Sequence, residues 1–240
     1  MRSGRSYSES QMSSAPKIKI CGITRSEDAD AAVADGVWAL GLNLWPKSKR
    51  RCRPAVAAEI AAAHRRHVQI AGVFVNPTLD HVVRAADEIG LTMLQFHGDE
   101  GPSFCAEAAR RTGCRVIKAA RVRSGADIQA LRSFRTDYHL LDAYVAGVPG
   151  GTGETFSWEL ARGHRGPPLI LSGGLTAANV AEAIAAAHPY AVDVASGVES
   201  APGIKDPAAM RAFVDAVAAT APAEPEQDEL TADQPGEEAA

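Results

Sequence analysis

Short apolar runs alternate with longer amphipathic segments along most of this chain, beginning at Lys17. Runs such as I-A-G-V-F-V and Y-A-V-D-V are nearly continuous and β-branched, which is typical of parallel strands buried on both faces. The predicted strands cover residues 17–21, 37–44, 68–75, 92–96, 115–119, 137–142, 168–171 and 190–195. The predicted helices cover residues 26–35, 54–66, 78–88, 101–112, 125–132, 157–162, 176–187 and 207–219.

The alternation of these elements predicts the fold class. Helix starts are marked by capping residues and prolines, among them Ser26, Pro54 and Pro207. Eight strands alternating with eight helices favour an α/β fold, a single (β/α)8 TIM barrel. An open doubly wound sheet is the alternative, but it usually has fewer strands and a glycine-rich fingerprint after the first strand. Here the first strand is followed by C-G-I-T, without G-x-G-x-x-G.

The two ends of the chain lack this apolar periodicity. We expect residues 1–16 and 220–240 to be disordered tails that flank one catalytic barrel domain at residues 17–219. The C-terminal tail carries seven acids and no base, so the net charge of −4 becomes +3 once it is set aside, with 25 basic and 22 acidic residues. This mild positive balance suits a small anionic substrate and is too weak to indicate nucleic-acid binding.

Composition also argues against several other classes of protein. The apolar runs are too short to cross a bilayer, and the first sixteen residues contain no apolar segment of a secretory signal. The four cysteines form no C-x-x-C pair and have no histidine at metal-ligand spacing beside them. We therefore expect reduced thiols, a cytoplasmic protein, no membrane partner, and no metal site.

Polar and ionisable residues stand at the carboxyl ends of the predicted strands, where a barrel of this class builds its active site. Each lies where an apolar core residue would otherwise end the strand. In chain order they are Cys21, Lys47, Lys49, Arg50, Asn76, Gln95, His97, Lys118, Asp142, Ser172, Gly173, Gly174, Asp193, Ser196 and Gly197. Their convergence predicts a polar site at one mouth of the barrel.

Three loops at this mouth suggest anion binding. S-G-G-L-T at residues 172–176 and A-S-G-V-E at residues 195–199 follow the last two strands, the usual phosphate site of this architecture. Ordinary glycine turns are the alternative, but the positions favour phosphate. The basic loop P-K-S-K-R-R, residues 46–51, is either a solvated cluster or the source of an arginine for a substrate carboxylate. Arg50 is the preferred candidate for that arginine, and the neighbouring Arg51 is the alternative.

Cys21 and Asp142 are expected to face each other across the barrel mouth. A lone Cys is often only a small buried hydrophobe, and a lone Asp after a strand is often a turn former. A glycine-rich stretch, residues 144–156, follows Asp142 and is typical of a mobile loop that closes over a ligand. In this setting a thiol and a carboxyl group suit a general base and a general acid.

Six motifs together carry a family resemblance. They are K-I-C-G-I-T, P-K-S-K-R, Q-F-H-G, L-L-D followed by G-G-T-G-E-T-F-S-W, L-S-G-G-L and V-D-V-A-S-G-V-E. From about residue 17 to residue 217 the chain resembles the phosphoribosylanthranilate isomerases of tryptophan biosynthesis. The resemblance implies a (β/α)8 barrel and an Amadori rearrangement of N-(5-phosphoribosyl)anthranilate to 1-(2-carboxyphenylamino)-1-deoxyribulose 5-phosphate, without cofactor or metal. After K-S-K-R the family usually continues with an aromatic residue or His, whereas this chain has Arg51.

The same resemblance implies roles for individual residues. Cys21 would be the general base, Asp142 the general acid, and Arg50 the contact to the anthranilate part. The phosphate would bind to backbone amides around Gly173, Gly174, Ser196 and Gly197. The side chains of Gln95, His97 and Asp193 would contact other parts of the substrate. The expected partner is a small phosphorylated substrate, and the expected assembly is a monomer or a homodimer.

Two other interpretations depend on the catalytic pair. The aminoaldose isomerases of the histidine pathway, with their dual-substrate relatives, have a similar barrel but carry Asp where this chain has Cys21. A barrel that only binds a phosphorylated ligand would be indicated by loss of Cys21 or Asp142, and both are present.

Overall fold

The computed structural model describes residues 15–143 and 158–222, and within them eight parallel strands close into a barrel. The strands are β1 (Lys17–Cys21), β2 (Ala39–Asn43), β3 (Gln69–Phe74), β4 (Met93–Phe96), β5 (Arg115–Val122), β6 (Tyr138–Ala143), β7 (Leu169–Ser172) and β8 (Ala191–Val194). Each strand pairs with the next, and β1 pairs with β8 to close the ring. The predicted (β/α)8 barrel is therefore confirmed, and an open sheet is excluded.

Helices occupy the connections between the strands. The α-helices are α1 (Ser26–Ala34), α2 (Pro54–His64), α3 (Leu79–Ile89), α4 (Pro102–Thr112), α5 (Gly125–Ala130), α6 (Val180–Ala187) and α7 (Pro207–Ala218). Proline begins three of them, at a position where its missing N–H breaks no helical hydrogen bond. Asp206 caps α7 by accepting hydrogen bonds from two backbone N–H groups of its first turn.

Two predicted helices differ from the observed ones. The segment Trp158–Gly163 is a 3-10 helix, which Gly163 and the following Pro167 and Pro168 keep short. Helix α6 begins at Val180 instead of residue 176. The Asn179 side chain accepts from one backbone N–H and donates to one backbone carbonyl of the preceding loop, which turns residues 176–179 away from helical geometry.

An antiparallel hairpin, absent from the sequence prediction, follows β8. Its strands are β9 (Glu199–Ala201) and β10 (Ile204–Lys205). Strands of three and two residues are too short to show an alternating pattern in the sequence. Gly203 makes the turn between them, with a φ of +83° that favours glycine.

Side chains of the strands pack into two separate cores because successive residues point to opposite faces. Inward-facing side chains fill the barrel itself; they include Ala71, Met93, Ile117, Ala119, Tyr138, Leu140, Ile170 and Ala191. Outward-facing side chains pack against the helices in the larger core. On β1, Ile18 and Ile20 belong to this outer core, so Lys19 and Cys21 point into the barrel.

Several sequence predictions lie outside the described residues. They concern residues 1–14 and 223–240, which make up most of the two predicted tails, and residues 144–157, which contain the predicted glycine-rich loop. Among residues 15–143 and 158–222, none of the helices combines the length and apolar character needed to span a membrane.

Candidate active site

A cavity of about 320 Å³ opens at the carboxyl ends of the strands. Nine of the ten residues predicted for the site line it, namely Cys21, Arg50, Gln95, His97, Asp142, Gly173, Gly174, Asp193 and Ser196. The tenth, Gly197, packs behind this wall, where a Cβ atom would stand only 1.9 Å from the carbonyl oxygen of Leu175. A wider groove of about 610 Å³ between α2, α3 and α4 lies away from these strand ends.

Two other polar residues predicted at strand ends, Asn76 and Lys118, belong to a separate cluster beside the cavity. Lys118 is buried, donates to the Gly98 carbonyl at 2.6 Å, and lies 2.9 Å from a carboxylate oxygen of Glu100. The other oxygen of Glu100 accepts from the Asn76 backbone N–H at 2.7 Å. Because these groups bind one another, Asn76 and Lys118 do not line the cavity that contains Cys21.

Cys21 lies beside a buried ion pair in the barrel interior. Lys19 is fully buried, and its Nζ lies 2.6 Å from Oδ1 of Asp193. The other oxygen of Asp193 accepts from Ser172 Oγ at 3.0 Å. Burial raises the pKa of the Cys21 thiol and outweighs the opposing effect of the Lys19 charge. Burial alone would lower the pKa of Lys19, but Asp193 and Cys21 raise it, so the ammonium stays charged.

Gly41 on β2 brings this thiol and this ammonium together. A Cβ atom at Gly41 would lie 2.8 Å from Cys21 Sγ and 3.0 Å from Lys19 Nζ. Both atoms therefore occupy space that any larger residue would fill. The missing side chain lets the Lys19 ammonium and the Cys21 sulfur share one small compartment.

Asp142 is the penultimate residue of β6 and lines the cavity together with His97 and Gln95. Its Oδ2 lies 3.3 Å from Nε2 of His97, but the two are not aligned as a hydrogen bond. His97 Nε2 and Gln95 Oε1 are buried polar atoms without a hydrogen-bond partner in the described part of the chain. Because unpaired buried polar atoms are costly, these two are suited to bind a polar ligand in the cavity. The Asp142 side chain keeps 32% exposure, and its carboxyl group lines the cavity.

Arg50 lines the cavity, and its guanidinium group is bound by the carboxylate of Glu199. Its Nε and Nη2 donate to the two carboxylate oxygens of Glu199 at 2.8 to 3.0 Å. The hydrogen bonds to Glu199 raise the pKa of Arg50 further. Arg51 is exposed, makes a backbone bridge with Asn43, and does not line the cavity. Of the two candidate arginines, only Arg50 thus lines the cavity that contains Cys21.

The loops after β7 and β8 meet at one end of the cavity. Gly173 and Gly174 have φ angles of +102° and +61°, which a residue with a side chain rarely adopts. Their backbone N–H groups take part in none of the backbone hydrogen bonds of the described loops. The short 3-10 helix Ser196–Val198 faces them, and its Gly197 packs against the Leu175 carbonyl. Free N–H groups in such loops suit an anion.

Several lining residues were missed from the sequence. They are Asn43, Trp45, Ser48 and Arg121, and the charged residues Lys19 and Glu199 lie next to the lining. Arg121 was hidden because β5 runs to Val122, beyond its predicted end at residue 119. Lys19 could have been found, since alternation along K-I-K-I-C places it on the same face as Cys21.

Comparisons with known proteins agree with one another. The family model of N-(5'-phosphoribosyl)anthranilate (PRA) isomerase matches residues 18–216. An N-(5'-phosphoribosyl)anthranilate isomerase of Pseudomonas syringae pv. tomato is 50% identical over 209 residues, covering 86% of this chain and 100% of that protein. The phosphoribosyl anthranilate isomerase structure from Thermotoga maritima matches with a TM-score of 0.76 and 38% identity, over 84% of this chain and 98% of its own. A phosphoribosyl anthranilate isomerase bound to reduced 1-(o-carboxyphenylamino)-1-deoxyribulose 5-phosphate matches with a TM-score of 0.73 and 36% identity, over the same shares.

Proposed function

The chain belongs to the N-(5'-phosphoribosyl)anthranilate isomerase family, and from this premise we propose that Cys21 and Asp142 carry the proton transfers of its reaction. The protein is an isomerase of tryptophan biosynthesis. It converts N-(5'-phosphoribosyl)anthranilate to 1-(2-carboxyphenylamino)-1-deoxyribulose 5-phosphate by an Amadori rearrangement. This rearrangement needs one proton donor and one proton acceptor at fixed positions along the sugar.

Asp142 is proposed as the general acid of the first step. Its carboxyl group donates a proton to the ribose ring oxygen, the bond from that oxygen to C1 breaks, and the anthranilate nitrogen supplies electrons to form an iminium ion. The side chain is partly exposed and lines the cavity, so its carboxyl group is accessible to a bound substrate. His97 Nε2 lies 3.3 Å from Oδ2 of this carboxyl group, on the same wall of the cavity.

Cys21 is proposed as the general base of the second step. The thiolate removes the C2 proton, which the neighbouring iminium acidifies, and the electrons of that bond neutralise the iminium to give an enolamine. The enolamine then tautomerises to the ketone. Because burial raises the pKa of the Cys21 thiol, its ionised form is a strong base, and the Lys19 charge helps that form to exist.

The remaining residues are proposed to bind the two anionic ends of the substrate. Arg50 would bind the anthranilate carboxylate, and amides around Gly173, Gly174, Ser196 and Gly197 would bind the phosphate. Gln95 and His97 have unpaired polar atoms that suit the ribose hydroxyl groups. Asp193 would contact the substrate from the inner end of the cavity, beside Cys21. The observation that carries the proposal is that a thiol, a carboxyl group, an arginine and two glycine loops line one cavity.

Substitutions of the catalytic pair test this assignment. Cys21→Ser replaces the thiol by a hydroxyl that scarcely ionises near neutral pH, and Asp142→Asn removes the donated proton. Each is expected to lower kcat by about 10²- to 10⁴-fold, the usual effect of losing a general acid or base. The affinity for the reduced product analogue should change little, because its phosphate and carboxylate contacts lie elsewhere.

Alkylation provides an independent control on Cys21. Iodoacetamide should abolish turnover, and bound product analogue should protect, whereas Cys114→Ser should leave both results unchanged because Cys114 lies outside the cavity. Near wild-type kcat in Cys21→Ser would show that another group is the base. Turnover of the histidine-pathway aminoaldose substrate would indicate the dual-substrate alternative.

The remaining expectations concern the whole protein. We propose a catalytic domain at residues 17–219, a cytoplasmic location, and a monomer or homodimer as the assembly. The four cysteines are free, in agreement with a reducing compartment. A relative from Thermotoga maritima is described as dimeric, and light scattering on the purified protein distinguishes the two assemblies.

A further inference from the structure

We propose that Glu199 is a positioning residue that orients Arg50 toward the aromatic carboxylate and thereby sets the preference of the enzyme for a carboxylated substrate. This inference rests on the proposed role of Arg50. It gives a function to the hairpin β9–β10, which forms no part of the barrel and makes none of the proposed substrate contacts.

The contact between the two side chains fixes the direction of the guanidinium group. Glu199 accepts from Nε and Nη2 of Arg50 through both carboxylate oxygens, at 2.8 to 3.0 Å. Such a two-point contact holds the planar group in one orientation. Nη1 of Arg50 has no acceptor in the described part of the chain, although Arg50 lines the cavity. The side of Arg50 that Glu199 leaves unoccupied can therefore meet a second carboxylate.

Glu199 is itself held from the opposite side. Its Oε1 lies 2.9 Å from Nζ of Lys205 and accepts from the Gly203 backbone N–H at 3.2 Å. Burial alone would raise the pKa of Glu199, but the hydrogen bonds from Arg50 and Lys205 lower it. The carboxylate is thus ionised and 95% buried, and its position is set by β10.

The hairpin is in turn attached to the start of the barrel. The backbone N–H of Lys205 donates to Asp28 in α1 at 3.1 Å, and Lys205 Nζ donates to the Ala195 carbonyl at 3.0 Å. Thr24 Oγ1 donates to the Gly203 carbonyl. These contacts join the end of β8, the hairpin and the loop after β1 into one unit, so Glu199 is a fixed support for Arg50.

Space and charge around Arg50 agree with this role. A Cβ atom at Gly22 would lie 2.7 Å from Cδ of Arg50, so the arginine stem packs directly on the backbone after Cys21. Arg50, Lys205 and Glu199 together carry one net positive charge, which matches one carboxylate. A guanidinium oriented in advance loses little conformational freedom when that carboxylate binds.

The test compares two ligands that differ only in the carboxylate. One is the reduced product analogue, and the other is the same compound without the ring carboxylate. We expect wild-type enzyme to prefer the first by about 10- to 100-fold in Kd, the usual effect of a charge-assisted contact. Glu199→Gln should reduce this preference by about tenfold while leaving the affinity for the decarboxylated compound within about twofold. In turnover, KM should rise while kcat stays within about threefold.

Two further variants separate orientation from folding. Glu199→Gln leaves the buried Lys205 with a weaker partner. The double variant Glu199→Gln/Lys205→Met removes both charges of that pair. It should show the same reduced preference for the carboxylated ligand. Ser200→Ala, an exposed change on the same hairpin, should keep the wild-type preference. An equal loss of affinity for both ligands in the Glu199 variants would mean that the hairpin is only structural and would overturn the inference.

Arg50→Ala distinguishes failure of this inference from failure of the proposed function. If Arg50→Ala abolishes the preference and Glu199→Gln does not, the arginine binds the carboxylate without help from Glu199. If Arg50→Ala itself keeps the preference, the carboxylate is bound elsewhere, and both the proposed role of Arg50 and the inference fail.

Discussion

At the scale of single residues, the charges around Cys21 influence how readily this proposed base loses its proton. Lys19, Lys205 and Arg50 lie close enough for their positive charges to favour the thiolate, whereas Asp193 opposes it. Burial nevertheless raises the pKa of the thiol overall. The free enzyme therefore holds mostly neutral thiol at low pH, and the reactive form increases as pH rises.

This arrangement predicts the effect of Lys19→Met on the pH profile. In the wild-type enzyme kcat/KM should fall as pH decreases below the raised pKa of Cys21, because the thiolate is protonated. Removing the Lys19 charge should raise that pKa further and move the acid limb of the profile to higher pH. Alkylation of Cys21 near pH 7 should also become several-fold slower, since only the thiolate reacts.

Lys19→Arg is the matched control because it keeps the charge beside Asp193. The acid limb of its pH profile should lie closer to that of the wild-type enzyme than the acid limb of Lys19→Met does. This should hold even if the larger side chain lowers the stability of the protein. Lys19→Met also leaves a buried carboxylate without its cation, which usually costs about 3–5 kcal/mol in the free energy of unfolding. An unchanged acid limb in a folded Lys19→Met enzyme would show that Lys19 only supports the fold.

At the scale of elements, the two loops of the proposed phosphate site depend on close packing. Gly197 approaches the Leu175 carbonyl so closely that a Cβ atom would stand 1.9 Å from its oxygen. The loop after β8 and the loop after β7 therefore fit only when residue 197 has no side chain. This contact sets the spacing of the backbone amides proposed to surround one anion.

Gly197→Ala should push the two loops apart. We expect about 1–3 kcal/mol lower stability, as is usual for overpacking, and clearly weaker binding of the phosphorylated product analogue. Gly125→Ala is the control, because nothing lies within 4 Å of a Cβ atom at Gly125, in the first turn of α5. Titration of both variants with the analogue, alongside urea unfolding, checks the prediction. Unimpaired analogue binding by a destabilised Gly197→Ala would contradict the proposed phosphate site.

The elements also show how far the sequence could predict the structure. All eight barrel strands were predicted because buried parallel strands leave short, nearly continuous apolar runs in the sequence. The hairpin was missed because its strands are too short to carry a pattern, and Glu199 with it. The Arg50–Glu199 pair joins residues 149 positions apart, and no local pattern encodes such a contact. The positions of the strand ends could be predicted from the sequence. The hydrogen-bond and ion-pair partners of each side chain could be identified only from the folded structure.

At the scale of the whole molecule, the described residues around β6 and β7 contain a pair of histidines at the barrel wall. Between β6 and β7 the described chain places the 3-10 helix Trp158–Gly163 instead of an α-helix. Next to this 3-10 helix two histidines are in contact, and Nδ1 of His139 lies 2.9 Å from Nε2 of His164. His139 is fully buried and its Nε2 donates to the Phe134 carbonyl, so Nδ1 accepts from His164. The pair fits only while His139 is neutral.

This pair predicts that acid destabilises the barrel. Burial, with the His164 charge, lowers the pKa of His139 from 6.5 to about 4, and burial with Arg165 lowers that of His164. Between these two values the unfolded chain binds a proton that the folded chain excludes, so the free energy of unfolding falls as pH drops. The loss of unfolding free energy caused by His139 should reach about 3 kcal/mol near pH 4, and it should vanish above the pKa of this residue in the unfolded chain.

His139→Gln isolates this contribution from the titration of carboxylates. Glutamine stays neutral at every pH, and its amide can still donate to the Phe134 carbonyl, so the variant should lose part of the acid sensitivity. Urea unfolding near pH 7 and again near pH 5 should show a smaller difference in the variant than in the wild-type protein. Equal differences would mean that His139 takes up a proton as readily in the folded barrel as in the unfolded chain, which would contradict the lowered pKa of this residue.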